Sequence, residues 1–149
     1  MDLEPREYKY ETNLVWTGEH KGDISSPEKI TIPVACPPEW GGHPGIWSPE
    51  DMFVGSIELC TMTTYLWLLD RYRLKIRSYK STAVGTAKMV KNTFLFSEIL
   101  VEPVVETDDE EHKEKFETLF DASKKWCLIT KSVTCPVVIK PRIIIVDKE

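Results

Sequence analysis

The chain has 149 residues and a formal net charge of −5, with the balance of apolar and charged residues of an ordinary globular protein. This length predicts a single domain with a substantial hydrophobic core. The acidic balance argues against a surface for nucleic acid or for an anionic membrane, since both favour a basic patch.

The first third of the chain predicts a meander of short strands. Residues 17–23, TGEHKGD, have the Gly and Asp chemistry of a turn between two of them. A second alternating run, with Ile30, Ile32 and Val34, predicts a further strand. The alternating positions on one side of the first strand are Tyr8, Tyr10, Thr12, Leu14 and Trp16.

A long loop and a long helix follow. The loop CPPEWGGHPGIWSP holds Trp40 and Trp47, so we expect it to be functional or packed against a partner. The helix is predicted to start with Ser48 as its N-cap, Pro49 at the first helical position and Asp51 closing a capping pattern. One apolar face comprises Phe53, Ile57, Cys60, Thr64 and Leu68.

This helix is apolar on its other faces too, which is typical of a helix covered on several sides. We expect a partner subunit to supply one of those sides. Glu58 is the charge within the apolar stretch, and we expect it to reach an edge or to pair with a lysine. The additional apolar positions are Met52, Leu59, Met62, Leu66 and Leu69.

The second half predicts two strands, a helix and a last strand. The strands cover residues 78–90 and 93–105, with Lys91 and Asn92 at the turn. The acidic run TDDEE predicts a helix that begins near Asp108. The last segment, CPVVIKPRIIIV, is β-branched, although Pro141 is awkward within a strand. The order of elements predicts an α+β fold. The inward stripe of the second helix comprises Phe116, Leu119, Phe120 and Ser123.

The four cysteines are the residues in which reactive chemistry is easiest to place. No two of them form a CxxC pair and the three histidines are scattered, so we expect no metal site, and no motif indicates a cofactor. Cys36 and Cys135 are interpreted as small apolar fillers. Cys60 and Cys127 both fall at inward helical positions, where spacing alone favours a structural role because apolar burial raises a thiol pKa.

Two motifs together resemble the OsmC/Ohr family. SPEDMFVGSIELCTMTTYL is similar to the family's helix signature, in which a cysteine follows a Pro-Glu pair at a fixed distance, and ASKKWCLITKSV is similar to its second cysteine motif. The loop PPEWGGHPG resembles the entry of an OsmC-like branch. The second motif differs from the usual family pattern, which has Cys-Pro where this chain has Cys127 and Leu128.

The resemblance implies an intertwined homodimer, in which antiparallel sheets from both subunits wrap two long central helices. It also implies a thiol peroxidase for defence against oxidative stress. Cys60 matches the peroxidatic thiol, which an organic hydroperoxide oxidises to a sulfenic acid. Cys127 matches the resolving thiol, which condenses with it to a disulfide that a small or lipoyl dithiol reduces. Glu50 matches the acidic residue that orients an arginine beside the reactive sulfur.

Helix geometry and the arginine positions refine this expectation. Ten residues along a continuous helix place Glu50 about 15 Å from Cys60, so we expect Glu50 of one subunit to serve the site of the other. The family arginine is missing: the matching positions hold His20, Lys21 and Trp40. Lys21 and His20 are therefore the candidate activating residues, although neither has arginine's planar fork.

Two other functions remain open on the sequence. One is a non-enzymatic dimer of the same fold that binds a hydrophobic small molecule beside Cys60, with Trp40 and Trp47 lining the pocket. The other is a protein whose thiols are only structural. In each case we expect a cytosolic protein, because the N-terminal segment lacks the pattern of a secretory signal.

Overall fold

The structure is a computed structural model that describes residues 6–149. Their internal packing forms two units, one that ends at Met52 and one over Phe53–Glu149. The helix α1 (Pro49–Tyr72) begins in the first unit and continues in the second. Its first turn carries the predicted capping box: Asp51 N donates to Ser48 Oγ at 3.1 Å, and Ser48 N donates to Asp51 Oδ2 at 3.0 Å.

The first unit holds an antiparallel sheet in the order β1–β2–β3. The predicted meander is confirmed, but its first strand is shorter than expected. β2 ends opposite Asn13, so Tyr8, Tyr10 and Thr12 precede the paired stretch. A 3-10 turn at Pro38–Trp40 interrupts the long loop. The strands are β1 (Asn13–Gly18), β2 (Lys21–Ser25) and β3 (Ile32–Ala35).

The second unit is built on a long hairpin of β4 (Ser78–Val90) and β5 (Thr93–Thr107). The predicted turn is confirmed, and Lys91 and Asn92 have the positive φ angles of 47° and 65° that a two-residue hairpin turn requires. The hairpin gives α1 a broad sheet to pack against, and Phe53, Val54 and Ile57 of the helix pack with Ile99 and Val101 of β5.

The last segment forms two strands rather than one. β6 (Val137–Ile139) and β7 (Arg142–Ile145) lie on either side of Lys140 and Pro141, and both pair with β5 in parallel. The expectation of antiparallel sheets holds for β4 and β5 but is wrong for β6 and β7, so the sheet of this unit is mixed. The chain reaches β6 from β5 through helices, and such a crossover connection permits parallel pairing.

The second predicted helix, α2 (Lys113–Trp126), starts later than expected and is followed by the short α3 (Leu128–Ser132). The first acidic residues lie before the helix and bind other groups. Asp108 accepts hydrogen bonds from Arg77, and Asp109 accepts one from His112. The predicted inward stripe is confirmed, since Phe116, Leu119, Phe120 and Ser123 are all buried. An apolar cluster joins this stripe to Tyr65, Leu68 and Leu69 of α1.

The helix α1 is long and apolar enough to cross a membrane by length and composition alone. The core helix of a soluble protein has the same properties. In this chain one side of the helix is buried by the unit's own sheet and by α2, with Ile57, Tyr65 and Leu68 at most 3% exposed.

Candidate functional site

The sulfur atoms of Cys60 and Cys127 lie 2.6 Å apart, and both cysteines are free thiols. Cys60 stands in the middle of α1, while Cys127 is the residue between α2 and α3. Cys127 is 1% exposed and Cys60 is half-buried, so the pair has one enclosed sulfur and one more accessible sulfur. The inward position predicted for Cys127 at the end of the second helix is confirmed.

Two helix ends hold Cys127 in place. Its N–H donates to Ser123 O at 2.9 Å and so closes α2, while its carbonyl accepts from Lys131 N at 3.0 Å. Its sulfur accepts a hydrogen bond from Thr130 N at 3.4 Å and acts as the N-cap of α3. The backbone and the sulfur of Cys127 are thus all engaged in hydrogen bonds at helix ends.

A stacked aromatic pair fixes the distance between the two helices that carry the sulfurs. The rings of Tyr65 and Phe120 are parallel to within 9°, with their centroids 3.7 Å apart. Tyr65 also donates a hydrogen bond from its hydroxyl to Phe116 O at 3.1 Å. Tyr65 lies five residues after Cys60 on α1, and Phe120 of α2 lies seven residues before Cys127, so this contact packs the two helices together near the thiols.

The surroundings of Cys60 raise the pKa of its thiol. Burial is the main cause and the adjacent Cys127 thiol adds to it, whereas the Ile129 N–H and the Thr64 hydroxyl act in the opposite direction. The hydroxyl of Thr64 lies 3.8 Å from the Cys60 sulfur. In the part of the chain that the structure describes, none of these groups is a cation. The thiol is thus surrounded by neutral hydrogen-bonding groups.

Glu50, in the first turn of α1, has a carboxylate oxygen, Oε2, that is buried without a hydrogen-bond partner among residues 6–149. A carboxylate oxygen that is buried without a hydrogen bond is energetically costly. Glu50 belongs to the unit that ends at Met52.

His20 and Lys21 lie at the turn into β2, in the same unit as Glu50. The ammonium of Lys21 is 3.0 Å from Glu19 Oε2, and His43 Nε2 is 3.6 Å from the same oxygen. Lys21 and His43 together hold the pKa of Glu19 below its ordinary value, with Lys21 as the larger cause. The candidate activating lysine is thus already paired with an acid.

A cavity of about 410 Å³ opens in the first unit. It differs from the pocket expected from the sequence, because its aromatic side chain is Trp16 and neither Trp40 nor Trp47 lines it. Cys36, a free thiol, is one of the residues that line the cavity. The loop after it is tightly packed, since a Cβ atom on Gly42 would lie 1.7 Å from Cys36 O. The cavity is lined by Leu14, Trp16, His20, Lys21, Gly22, Val34, Ala35, Cys36 and Pro49.

The two remaining interpretations of single residues have different outcomes. Cys135 packs as an apolar filler against the cluster of Ile57, Ile99 and Val101, as predicted. Glu58 pairs with a serine hydroxyl rather than with a lysine, since Ser81 Oγ donates to Glu58 Oε1 at 2.5 Å. A hydroxyl satisfies this half-buried acid without a second charge.

The structure brings Cys60 and Cys127 together, and it adds Thr64 and Ile129 as groups that sequence reasoning did not assign to the site. A signal for Thr64 was available, because it follows Cys60 by one helical turn on the same predicted face. No comparable signal exists for Ile129, since its contribution comes from the backbone after a helix break.

Comparisons with known proteins agree with this fold. The family model described as OsmC-like protein matches residues 42–142, about two thirds of the chain. No curated protein is detectably similar in sequence. An OsmC-like protein of unknown function from Vibrio cholerae has a TM-score of 0.82 at 18% identity, with 91% of this chain and 99% of that chain covered.

Two further solved structures are named as organic hydroperoxide resistance proteins. The Legionella pneumophila protein has a TM-score of 0.73 at 14% identity, covering 93% of this chain and 98% of that one. The Bacillus subtilis protein has a TM-score of 0.63 at 18% identity, covering 92% and 98%. At these identities the structural likeness shows the fold alone. The family model shows more: the chain belongs to the OsmC-like family.

Proposed function

We propose that this protein reduces organic hydroperoxides through Cys60 and Cys127. The observation that carries the proposal is the 2.6 Å contact between two free sulfurs that are 67 residues apart in the chain. A pair this close needs no large movement to become a disulfide. The names of several structural relatives, organic hydroperoxide resistance proteins, agree with this choice of substrate class.

In the first step the Cys60 thiolate attacks the hydroperoxide. A sulfur–oxygen bond forms and the oxygen–oxygen bond breaks, so that Cys60 becomes a sulfenic acid and an alkoxide leaves. The alkoxide takes a proton from solvent, which received one when the Cys60 thiol ionised, and departs as the alcohol. Cys60 takes this role because it is the more accessible of the two sulfurs, while Cys127 is 1% exposed.

In the second step the sulfur of Cys127 attacks the sulfenic sulfur of Cys60. The sulfur–sulfur bond forms, the sulfur–oxygen bond breaks, and water leaves with the proton of the Cys127 thiol. An external dithiol then supplies two electrons and two protons and restores both thiols. All four cysteines are free in the structure, and we place this cycle in the cytosol, where thiols are kept reduced.

The proposed active form is a homodimer. Large apolar side chains are exposed on both units, among them Trp16 at 75% and Leu59 at 58%, and such surface is typical of an interface. Two copies of α1 around a two-fold axis would allow the unpartnered carboxylate of Glu50 from one subunit to approach the thiol site of the other. Lys21 and His20 are the proposed activating residues of that shared site.

The experiment that tests the proposal is consumption of cumene hydroperoxide with dihydrolipoamide as the reductant. We expect sustained turnover by the wild type. Cys60→Ser removes the only nucleophile proposed for the first step and should lower the rate by about a thousandfold or more. Cys36→Ser is the matched control, since its free thiol lies in the other unit. Equal loss in both variants, or none in Cys60→Ser, would contradict the proposal.

A second candidate function is favoured by the cavity of about 410 Å³ in the first unit. Its volume is in the range of small-molecule sites, and Leu14, Trp16 and Val34 give it an apolar lining. In this alternative the protein is a non-enzymatic dimer that carries a hydrophobic small molecule. Native mass spectrometry of the freshly purified protein tests it, because a copurified organic ligand supports carriage and a ligand-free mass argues against it.

A further inference from the structure

Three threonines on α1 lie close to Cys60, and one of them uses its hydroxyl differently from the other two. Thr61 Oγ1 donates to Ile57 O at 2.8 Å, and Thr63 Oγ1 donates to Leu59 O at 3.1 Å. Both therefore make the ordinary bond of a helical threonine to the carbonyl one turn earlier. The hydroxyl of Thr64 instead lies against the Cys60 sulfur, at 3.8 Å.

The helix places the side chain of Thr64 next to that of Cys60. Residues four apart on an α-helix lie on the same face, and α1 is unbroken over both positions. Thr64 is half-buried, and its β-branched side chain has few rotamers in a helix, of which one sends the hydroxyl back toward the preceding turn. The sulfur and the hydroxyl are thus held together by a rigid element.

The direction of this hydrogen bond depends on the state of the sulfur. While Cys60 is a thiol, either atom can donate. Once the sulfur has lost its proton it can only accept, so the hydroxyl of Thr64 must donate to it. The bond therefore strengthens in the thiolate, since hydrogen bonds to an ionised acceptor are stronger than neutral ones.

We propose that Thr64 stabilises the reactive thiolate of Cys60 by donating its hydroxyl hydrogen to the sulfur, as a neutral donor from the same helix that acts beside the activating residues proposed for the shared site. This inference rests on the proposed function for the reaction in which the thiolate is used. It also explains how a thiol with no cation among its contacts in the described part of the chain can be used as a nucleophile. The Ile129 N–H contributes from the backbone in the same direction.

The test measures ionisation of Cys60 without any peroxide. The rate of alkylation of the reduced protein by iodoacetamide is followed from pH 6 to 11, with the Cys60 peptide quantified by mass spectrometry. Thr64→Val keeps the branched shape but loses the hydroxyl. We expect the apparent pKa of Cys60 to rise, which makes the thiolate at a fixed pH roughly three- to tenfold scarcer.

Three variants make the result specific. Thr64→Ser keeps a hydroxyl and should restore alkylation to within about twofold of the wild type, since the same donor remains. Thr64→Ala loses the hydroxyl without branching and should repeat the effect of valine, which guards against poor folding of either variant. Thr63→Val makes the same change on the same helix at an exposed residue. Its hydroxyl donates to two carbonyls, Leu59 O at 3.1 Å and Cys60 O at 3.3 Å, and not to the Cys60 sulfur, so the pKa of Cys60 should stay unchanged.

An unchanged apparent pKa in both Thr64→Val and Thr64→Ala would overturn the inference, as would an equal shift in Thr63→Val. Failure of the proposed function is distinguishable, because alkylation does not involve a hydroperoxide. If the Thr64 variants raise the pKa of Cys60 but the wild type does not consume cumene hydroperoxide, the role of Thr64 is supported and the peroxidase is contradicted. If the wild type consumes cumene hydroperoxide but the Thr64 variants leave the pKa unchanged, the peroxidase is supported and the role of Thr64 is contradicted.

Discussion

The helices α1 and α2 bring two pairs of side chains together, and the two contacts have opposite characters. Tyr65 and Phe120 form a stacked, fully buried aromatic pair that is chemically inert. Cys60 and Cys127 form a small sulfur contact in which each atom is a potential nucleophile. We expect the aromatic contact to hold the two helices in position and the sulfur contact to carry the chemistry.

The largest expected effect comes from removing one sulfur of the small contact. Cys127→Ser leaves the Cys60 sulfenic acid without its partner, so excess cumene hydroperoxide should drive it irreversibly to the sulfinic acid. Peptide mass spectrometry will show Cys60 with two added oxygen atoms in the variant and none in the dithiol-supplied wild type. Cys135→Ser, at a packed thiol in the same unit, is the control. If Cys60 is still oxidised reversibly in Cys127→Ser, Cys127 is not the resolving cysteine.

The next effect comes from the large contact. Phe120→Ala removes one ring of the stack and should lower the free energy of unfolding by about 3–5 kcal/mol. Disulfide formation should slow as well, because the helices no longer hold the sulfurs together. Urea denaturation measures the first and quenched thiol counting the second. Trp126→Ala, at an exposed position of α2, should cost about 1 kcal/mol or less. If Phe120→Ala is destabilised but still forms the disulfide as fast as the wild type, the aromatic contact does not position the sulfurs.

The pH dependence probes the small contact alone. Burial and the Cys127 thiol raise the pKa of Cys60, so at neutral pH the reactive thiolate is the minor form. Its fraction rises with pH up to that raised pKa, by about tenfold per pH unit well below it. The second-order rate of cumene hydroperoxide reduction should therefore increase from pH 7 to pH 9 without a plateau. A rate that stays constant from pH 7 to pH 9 would show that Cys60 is already ionised at pH 7, and therefore that another group stabilises its thiolate.

The smallest effect sharpens the division between the two contacts. Tyr65→Phe keeps the stacked ring but loses the hydrogen bond to Phe116 O, so unfolding should cost about 1 kcal/mol less. Because the ring itself remains, the rate of disulfide formation should be unchanged. The same denaturation and thiol-counting measurements check both statements. A slower disulfide in Tyr65→Phe would mean that the hydroxyl, and not the stack, positions the sulfurs.

Local rules explain why parts of this fold were accessible from the sequence. The capping pattern of Ser48 and Asp51, the turn at Lys91 and Asn92 and the buried stripe of α2 all follow from neighbouring residues. The pairing of Cys60 with Cys127 was expected only from the resemblance to a family, because spacing along a chain does not report which helices meet.

The features that we did not predict from the sequence depend on contacts between residues that are far apart in the chain. The late start of α2 follows from the pairing of Asp108 with Arg77, which lies 31 residues earlier. The parallel pairing of β6 and β7 with β5 depends on how the crossover helices pack. The Ile129 N–H reaches the site because the chain breaks its helix at Cys127. None of these leaves a local pattern.

We propose above that the neighbouring sulfurs of Cys60 and Cys127 act as a redox pair. The most direct test adds one equivalent of cumene hydroperoxide to the fully reduced protein, quenches within seconds, and maps the linkage by peptide mass spectrometry. We expect loss of two thiols per chain and a Cys60–Cys127 disulfide, with Cys36 and Cys135 still reduced. Oxidation that leaves Cys60 and Cys127 unlinked, or that joins other cysteines, would contradict it.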